Sequence, residues 1–284
     1  MANSSNVRLA NRGTVIHRPV RSLSRGLVLI RELNVSGPSS VQQLANRTGL
    51  NRTTCYRLLG TLQQDGFVAF DDENALFCLT PQVRMLSEGI STRDLSSQAA
   101  LPPMFALLQE ISWPSDFAVF ELGAMVIHES THSFSPLTIH RSMVGRSRSL
   151  VRSALGRAVL SAASPTLRRE MLEIAAGLVP EDAALAKDAA FIGRIVERTR
   201  KAGYASNVDE NQRGISGIAL AIEGLQPVLG SLNIVFFSSA MTPEVAAERY
   251  LSSLKTAVAD IERRWLLGRS NSGSAGPVDL AAGK

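Results

Sequence analysis

VQQLANRTGLNRTTCYRLLGTLQQDGFV, residues 41–68, breaks into two helical patterns joined by a tight turn. In the first, Ser40 is the N-cap, Val41, Leu44 and Ala45 share one face, and Gly49 supplies the stop, which predicts a short helix over 40–48. After Gly49-Leu50-Asn51 the spacing predicts a helix over 52–64. Its apolar stripe, Cys55, Leu58, Leu59 and Leu62, follows the i, i+3, i+4, i+7 rule, and Gly66 ends it. Upstream, Leu23, Leu27, Ile30 and Leu33 recur at helical spacing behind Ser22, a candidate N-cap, until Asn34-Val35-Ser36-Gly37-Pro38 breaks the pattern. Downstream, residues 67–70 and 75–79 are extended runs around the acidic turn Asp71-Asp72-Glu73-Asn74, the pattern of a hairpin. Three helices with a tight turn before the third and a hairpin after it make a winged helix-turn-helix.

The stripe of the third helix must face the small core of this unit, which turns Thr53, Thr54, Tyr56, Arg57 and Gly60 outward. Arg52, Thr53, Thr54 and Arg57 are residue types that reach base edges and phosphates. Arginine holds a guanine bidentately and threonine packs on a thymine methyl. Ser40 and Asn51, at the two helix starts, and the outward Tyr56 complete the candidate contact set, and the helix N-terminus offers amides to a phosphate. Arg21 and Arg25 are assigned to the DNA backbone, where contacts fix register without reading sequence. A solvated arginine face is the alternative for these two.

Charge points the same way. Residues 1–60 hold nine arginines against one acid, Glu32, giving +8, so residues 61–284 carry −3 of the formal +5. A basic head on a mildly acidic body fits a nucleic-acid-binding module on a separate domain, and 284 residues suit two domains at ~150 each. A basic tail is the bland reading of part of that charge, and residues 1–19 are assigned to one. The longest apolar stretch, residues 215–237, is broken by Glu223, Gly224, Gln226, Pro227, Gly230 and Asn233, unlike a membrane span. The N-terminus shows no apolar h-region. The expectation is a cytoplasmic protein with no membrane partner. Cys55 and Cys78 form no CxxC, so neither a disulfide framework nor a structural zinc site is indicated.

Past the wing, Val83, Leu86 and Ile90 continue as a helix from Pro81, and another begins near Asp94-Leu95-Ser96, with a kink expected at Pro102-Pro103 before Met104. The winged unit is placed at 20–81, linker helices at 82–112 and the body at 113–267. In the body, residues 116–131 read as two strands hinged at Gly123, and 139–144 as a further strand. Helices are expected over 153–162, 165–174 and 189–202, strands over 215–222 and 228–237, and a final helix over 243–267 before a Gly/Ser-rich flexible tail at 268–284. The fold class is α+β, with an antiparallel sheet in the body.

Two stretches could carry chemistry. His128-Glu129-Ser130-Thr131-His132 spells HExxH, which chelates zinc only on a helix. Met125-Val126-Ile127 before it and Ser133-Phe134-Ser135-Pro136 after it favour strand and turn, where residues four apart lie ~13 Å apart at ~3.3 Å per residue. A zinc hydrolase on His128, Glu129 and His132 is therefore a second reading, and an architectural or RNA-binding protein without a preferred site is a third. GxSxG, GxxxxGK[ST] and GxGxxG are absent, and no metal, cofactor or catalytic residue is assigned. The other stretch runs from Arg141 to Gly156 and holds Arg141, Arg146, Arg148 and Arg152 ahead of Ser153, an N-cap for a small-residue helix. Amides there, flanked by arginines, suit a carboxylate. An ordinary capped helix beside a basic loop is the alternative.

With these residues in view, the chain resembles the IclR (isocitrate lyase regulator) family of bacterial transcription factors over about residues 20–264. The resemblance is carried by RSLSRGLVLIRELN (21–34), the helix-turn-helix (41–68), SALGRAVLSA (153–162), RKAGYA (200–205) and ISGIALAI (215–222). Within the family it is most similar to MhpR-like regulators of 3-(3-hydroxyphenyl)propionate catabolism, through RLLGTLQQDG (57–66), QVRMLSEGI (82–90), ISWPSD (111–116), THSFSPLTIHRSMVGR (131–146) and SAMT (239–242). The resemblance implies a homodimer or homotetramer with a GAF-like effector domain, whose pocket is lined by Ser153, Ala154 and Leu155, by Ser216 and Gly217, and by Asn233 and Val235. Sensors of glyoxylate and pyruvate carry hydroxyl or thiol groups where this chain has Gly217 and Val235. The apolar replacements, with Phe120 and Phe236 nearby, suit a small aromatic carboxylate whose charge would meet Arg141, Arg146 or Arg152. What this implies is an effector-dependent activator of an aromatic-acid operon, acting on a double-stranded DNA operator and on RNA polymerase. A repressor of a small-carboxylate or aromatic operon is the alternative.

Overall fold

The computed structural model describes residues 20–86, 95–138, 142–210, 213–223, 228 and 230–272. They form two compact units that part after Leu86. In the first, helices α1 (Arg21–Ser36), α2 (Val41–Thr48) and α3 (Arg52–Gln64) precede the hairpin of β1 (Val68–Asp71) and β2 (Leu76–Leu79). Ser40 closes a capping box with Gln43, and Gly49 ends α2 in the left-handed region at φ 67°, where a residue without Cβ is favoured. Asn51 caps α3. Leu29, Leu33, Leu44, Cys55, Leu59, Val68 and Phe77 are the buried core, with Leu58 and Leu62 half-buried against it.

The first helix departs from its sequence pattern. It starts after Val20 with no side-chain cap, so Ser22 lies inside the first turn. Leu23 and Leu27 are 63% and 45% exposed, and Leu29 joins the expected Leu33 in the core. Packing against α2, α3 and β2 therefore selects a face rotated from the Leu23–Leu27 stripe. Beyond the wing, Pro81–Arg84 forms a single 3-10 turn. Met85 and Leu86 continue it as helix, and the rest of the helix expected up to Ile90, residues 87–90, lies outside the described residues.

The second unit is a six-stranded antiparallel sheet in the order β5-β4-β3-β8-β7-β6. The strands are β3 (Asp116–Glu121), β4 (Ala124–Ser130), β5 (Ser147–Ser149), β6 (Ala205–Val208), β7 (Ile215–Ile222) and β8 (Gly230–Phe237). Strand alternation divides their side chains between two layers. Phe117, Ile218, Ile222, Leu232, Ile234 and Phe236 pack with helices α4 (Leu95–Ile111) and α9 (Pro243–Ser272). Residues of opposite parity, among them Ala118, Ala219 and Ser231, meet α5 (Ala154–Ala162), which is backed by α6 (Pro165–Leu178), α7 (Ala183–Lys187) and α8 (Ala189–Ala202). Helix α7 and strand β6 carry no clear sequence pattern and were not expected.

Several expectations are corrected here. Helix α4 is a single helix that includes Pro102 and Pro103, and buried Ala100, Met104, Leu107 and Ile111 hold it against α9 despite two missing backbone donors. It belongs to the core of the second unit rather than to a linker. No strand forms over 142–144. The edge strand is Ser147–Ser149, and residues 139–141 lie outside the described residues. Helix α9 passes Gly268 and ends at Ser272, beyond the expected stop at Leu267.

Helix α5 sits close on the preceding turn at Gly156, where a Cβ would lie 2.1 Å from the Leu150 carbonyl oxygen. Neither backbone can yield without moving α5. Gly156→Ala is therefore expected to cost about 3 kcal/mol, a fall of roughly 6–12 °C in Tm. Scanning calorimetry checks this, and an unchanged Tm would show that α5 is free to shift.

Candidate DNA-binding surface and effector cavity

The exposed face of α3 is built by its buried one. With Cys55 and Leu59 fixed in the core, Arg52, Thr53, Tyr56 and Arg57 are exposed, Tyr56 at 66%, while Thr54 is half-buried. Arg52, Thr53 and Tyr56 share a groove with Ser40, Val41 and Gln42 at the start of α2 and with Phe70, Ala75 and Phe77 of the wing. Ser40 Oγ accepts from the Gln43 amide at 3.3 Å and Asn51 Oδ1 from the Thr53 amide at 2.8 Å. The Ser40 hydroxyl proton and the Asn51 amide protons remain available as donors. Arg47, by contrast, reaches Glu32 at 3.8 Å and Ser39 Oγ at 3.3 Å. Among the described residues, Arg21, Arg25, Arg52 and Arg57 have no carboxylate partner, which leaves a set of uncompensated cations suited to phosphate.

A cavity lies between α5 and the sheet in the second unit. Ser153, Ala154 and Leu155 line it from the helix start, Ser216 and Gly217 from β7, and Asn233 and Val235 from β8. Ser153 Oγ accepts from the Gly156 amide at 3.0 Å and donates to the Ser149 carbonyl at 2.5 Å. Asn207 Oδ1 accepts from the Ala154 amide at 3.2 Å, and Asn233 Oδ1 from the Asp116 amide at 2.7 Å. These two amide side chains thus hold backbone across the cavity walls. Gly217 keeps the wall open, since a Cβ there would lie 3.1 Å from the Ile234 carbonyl oxygen and 3.4 Å from Asn207 Oδ1.

The arginines fall out differently from the sequence expectation. Arg152 pairs with buried Asp182 at 3.4 Å and donates to the Glu181 carbonyl, a structural clamp outside the cavity. Arg146 and Phe120 do not line the cavity either, and Phe120 packs beside Met125 and Val159 in the α5 layer. Arg141 lies outside the described residues. The lining cation is Arg148, which pairing of β5 with β4 sets opposite Met125. Among the described residues its guanidinium donates only to Met143 Sδ, at 3.8 Å, a weak acceptor. Burial pulls its pKa below the ordinary arginine value, Asp116 opposes this and Arg146 adds to it. Arg148 stays protonated at neutral pH and is thus an under-solvated cation. Sequence reading missed it because four arginines in twelve residues are indistinguishable until the strand register picks one.

Asp116, His132 and Thr138 line the same cavity and were not expected there. The two histidines of the HExxH sequence have separate partners: His128 Nε2 lies 2.6 Å from Glu121 Oε1, while His132 Nδ1 lies 2.7 Å from Thr138 Oγ1. His128 and Glu129 are on strand β4, not a helix.

Comparison with known proteins is consistent with both halves. Residues 22–72 match the IclR helix-turn-helix domain and residues 90–263 the bacterial transcriptional regulator IclR C-terminal family. The glycerol operon regulatory protein of Streptomyces coelicolor is 25% identical over 252 residues, covering 81% of this chain and 92% of that one. Among solved structures, the Thermotoga maritima IclR superposes with a TM-score of 0.62 at 17% identity, covering 87% of this chain and 99% of that one. An IclR homolog complexed with 4-hydroxybenzoate from Microbacterium hydrocarbonoxydans gives 0.57 at 20% identity, with 87% and 99% coverage. The chain belongs to the IclR family and is a DNA-binding transcriptional regulator, not an enzyme.

Proposed function

We propose that this regulator answers to a small aromatic carboxylate held in the α5 cavity, and that it activates a hydroxyphenylpropionate-type catabolic operon. The observation that carries the ligand class is Arg148, a half-buried cation on the cavity lining whose one side-chain acceptor among the described residues is a thioether. A carboxylate supplies the bidentate partner it lacks. The apolar part of the lining, Leu137, Met143, Val235 and Phe236, suits a ring. The same fold holds 4-hydroxybenzoate in the Microbacterium protein.

In this reading Arg52, Thr53, Thr54, Tyr56 and Arg57 contact an operator half-site, with Ser40, Asn51, Arg21 and Arg25 on the backbone. The protein works in the cytoplasm as a homodimer or homotetramer, and the exposed Leu23 and Leu27 of α1, with Val20 just before it, are apolar surface available to a second copy. The ligand acts by binding more tightly to one arrangement of the two heads than to the other, which changes engagement with DNA and RNA polymerase. Isothermal titration calorimetry tests the ligand class. Binding of 3-(3-hydroxyphenyl)propionate with no binding of glyoxylate is expected, and the reverse would contradict the reading.

A further inference from the structure

We propose that Asp116 and His132 recognise a hydroxyl group on the effector, so that the ligand is a hydroxylated carboxylic acid and its unsubstituted analogue is discriminated against. This rests on the cavity being the effector site.

The pair is deeply buried, with Asp116 1% and His132 4% exposed, and both line the cavity. His132 Nε2 lies 3.5 Å from Asp116 Oδ2, close enough for charge attraction and too long for a good hydrogen bond. Asp116 Oδ1 and His132 Nε2 have no hydrogen-bond partner among the described residues. The rest of each residue is committed. The Asp116 amide donates to Asn233 Oδ1 at 2.7 Å, and His132 Nδ1 is 2.7 Å from Thr138 Oγ1. Two unmet polar atoms therefore adjoin in a buried part of the lining, each carrying a desolvation penalty while unpaired.

The chemistry of the gap selects what fills it. A carboxylate only accepts and would be repelled by Asp116. An ammonium only donates and leaves a protonated Nε2 unmet. A hydroxyl does both, donating to Asp116 Oδ1 while accepting from His132 Nε2. Arg148, which lines the same cavity and offsets the Asp116 charge, is the place for the carboxylate. The cavity thus offers one cation for an acid and one donor-plus-acceptor notch for a hydroxyl. An ordered water is the rival occupant, since it too donates and accepts.

Calorimetry on the full-length protein decides between them, using 3-(3-hydroxyphenyl)propionate, its 4-hydroxy isomer and 3-phenylpropionate. The better hydroxylated acid is expected to bind at least ~30-fold more tightly than 3-phenylpropionate, the loss typical of a missing bond to a buried charged group. In Asp116→Asn the ratio should fall below ~5-fold with 3-phenylpropionate affinity little changed, a pattern that mere destabilisation would not produce. If that variant does not fold, His132→Gln serves the same comparison, and the wild-type ratio stands without either. Equal affinities in the wild type, with binding still lost in Arg148→Ala, would overturn the hydroxyl notch in favour of a water and leave the effector site standing. Failure of all three acids to bind would overturn both.

Discussion

Arg148→Ala is expected to weaken binding of 3-(3-hydroxyphenyl)propionate at least ~100-fold, and to leave DNA affinity of the ligand-free protein within about twofold. Truncating one partner of a buried charge pair costs about 2–5 kcal/mol, because the other charge is left desolvated and alone. Among the described residues the guanidinium's one side-chain bond is to Met143 Sδ, and Asp116 acts on it through charge alone. Removing it therefore spares the fold. Arg148→Lys should recover part of the affinity by restoring charge without the planar fork. Arg152→Ala should behave in the opposite way, lowering Tm by releasing buried Asp182 and the Glu181 carbonyl. Calorimetry and thermal melts on the three variants separate the roles, and wild-type affinity in Arg148→Ala would remove the carboxylate from this site.

Loss of either exposed arginine of α3 should have an effect of similar size on the other activity. Arg52→Ala and Arg57→Ala are each expected to weaken operator binding about 10- to 100-fold. An arginine that reads a guanine relaxes selectivity at that base pair, whereas one that neutralises a phosphate lowers the salt slope by ~0.9 and weakens all sequences alike. Anisotropy titrations over a salt series tell the two apart. Arg47→Ala is the control. That side chain is already paired with Glu32 and Ser39, so its removal should leave the slope unchanged. Unaltered affinity in both α3 variants would place the DNA on another face of the head.

Much of the architecture was legible because it rests on local rules. The caps Ser40 and Ser153 and the left-handed Gly49 mark helix ends through their own chemistry. The expected hairpin and the bounds of α3 and α8 follow the structure closely for the same reason. What failed depends on partners distant in sequence. Leu23 and Leu27 have the spacing of a buried stripe, yet the core of the head is met by Leu29 and Leu33. Pro102-Pro103 reads as a kink in a helix that the sequence assigns to a linker, and packing against α9 places that helix in the core of the second unit. The cavity shows the same division. Its glycine, its small residues and its helix start could be named from the resemblance, but the charged lining could not. Asp116 and Arg148 come from two strands and His132 from the turn after a third, and their meeting is a product of sheet register.

The central claim, a sequence-selective DNA complex under control of an aromatic acid, is tested most directly by fluorescence anisotropy. The full-length protein is titrated onto its own upstream intergenic DNA and onto a scrambled duplex at near-physiological salt, with and without 3-(3-hydroxyphenyl)propionate. The expected result is at least ~10³-fold tighter binding to the native DNA and a complex altered by the acid. Equal binding to both duplexes, indifferent to the acid, would contradict it.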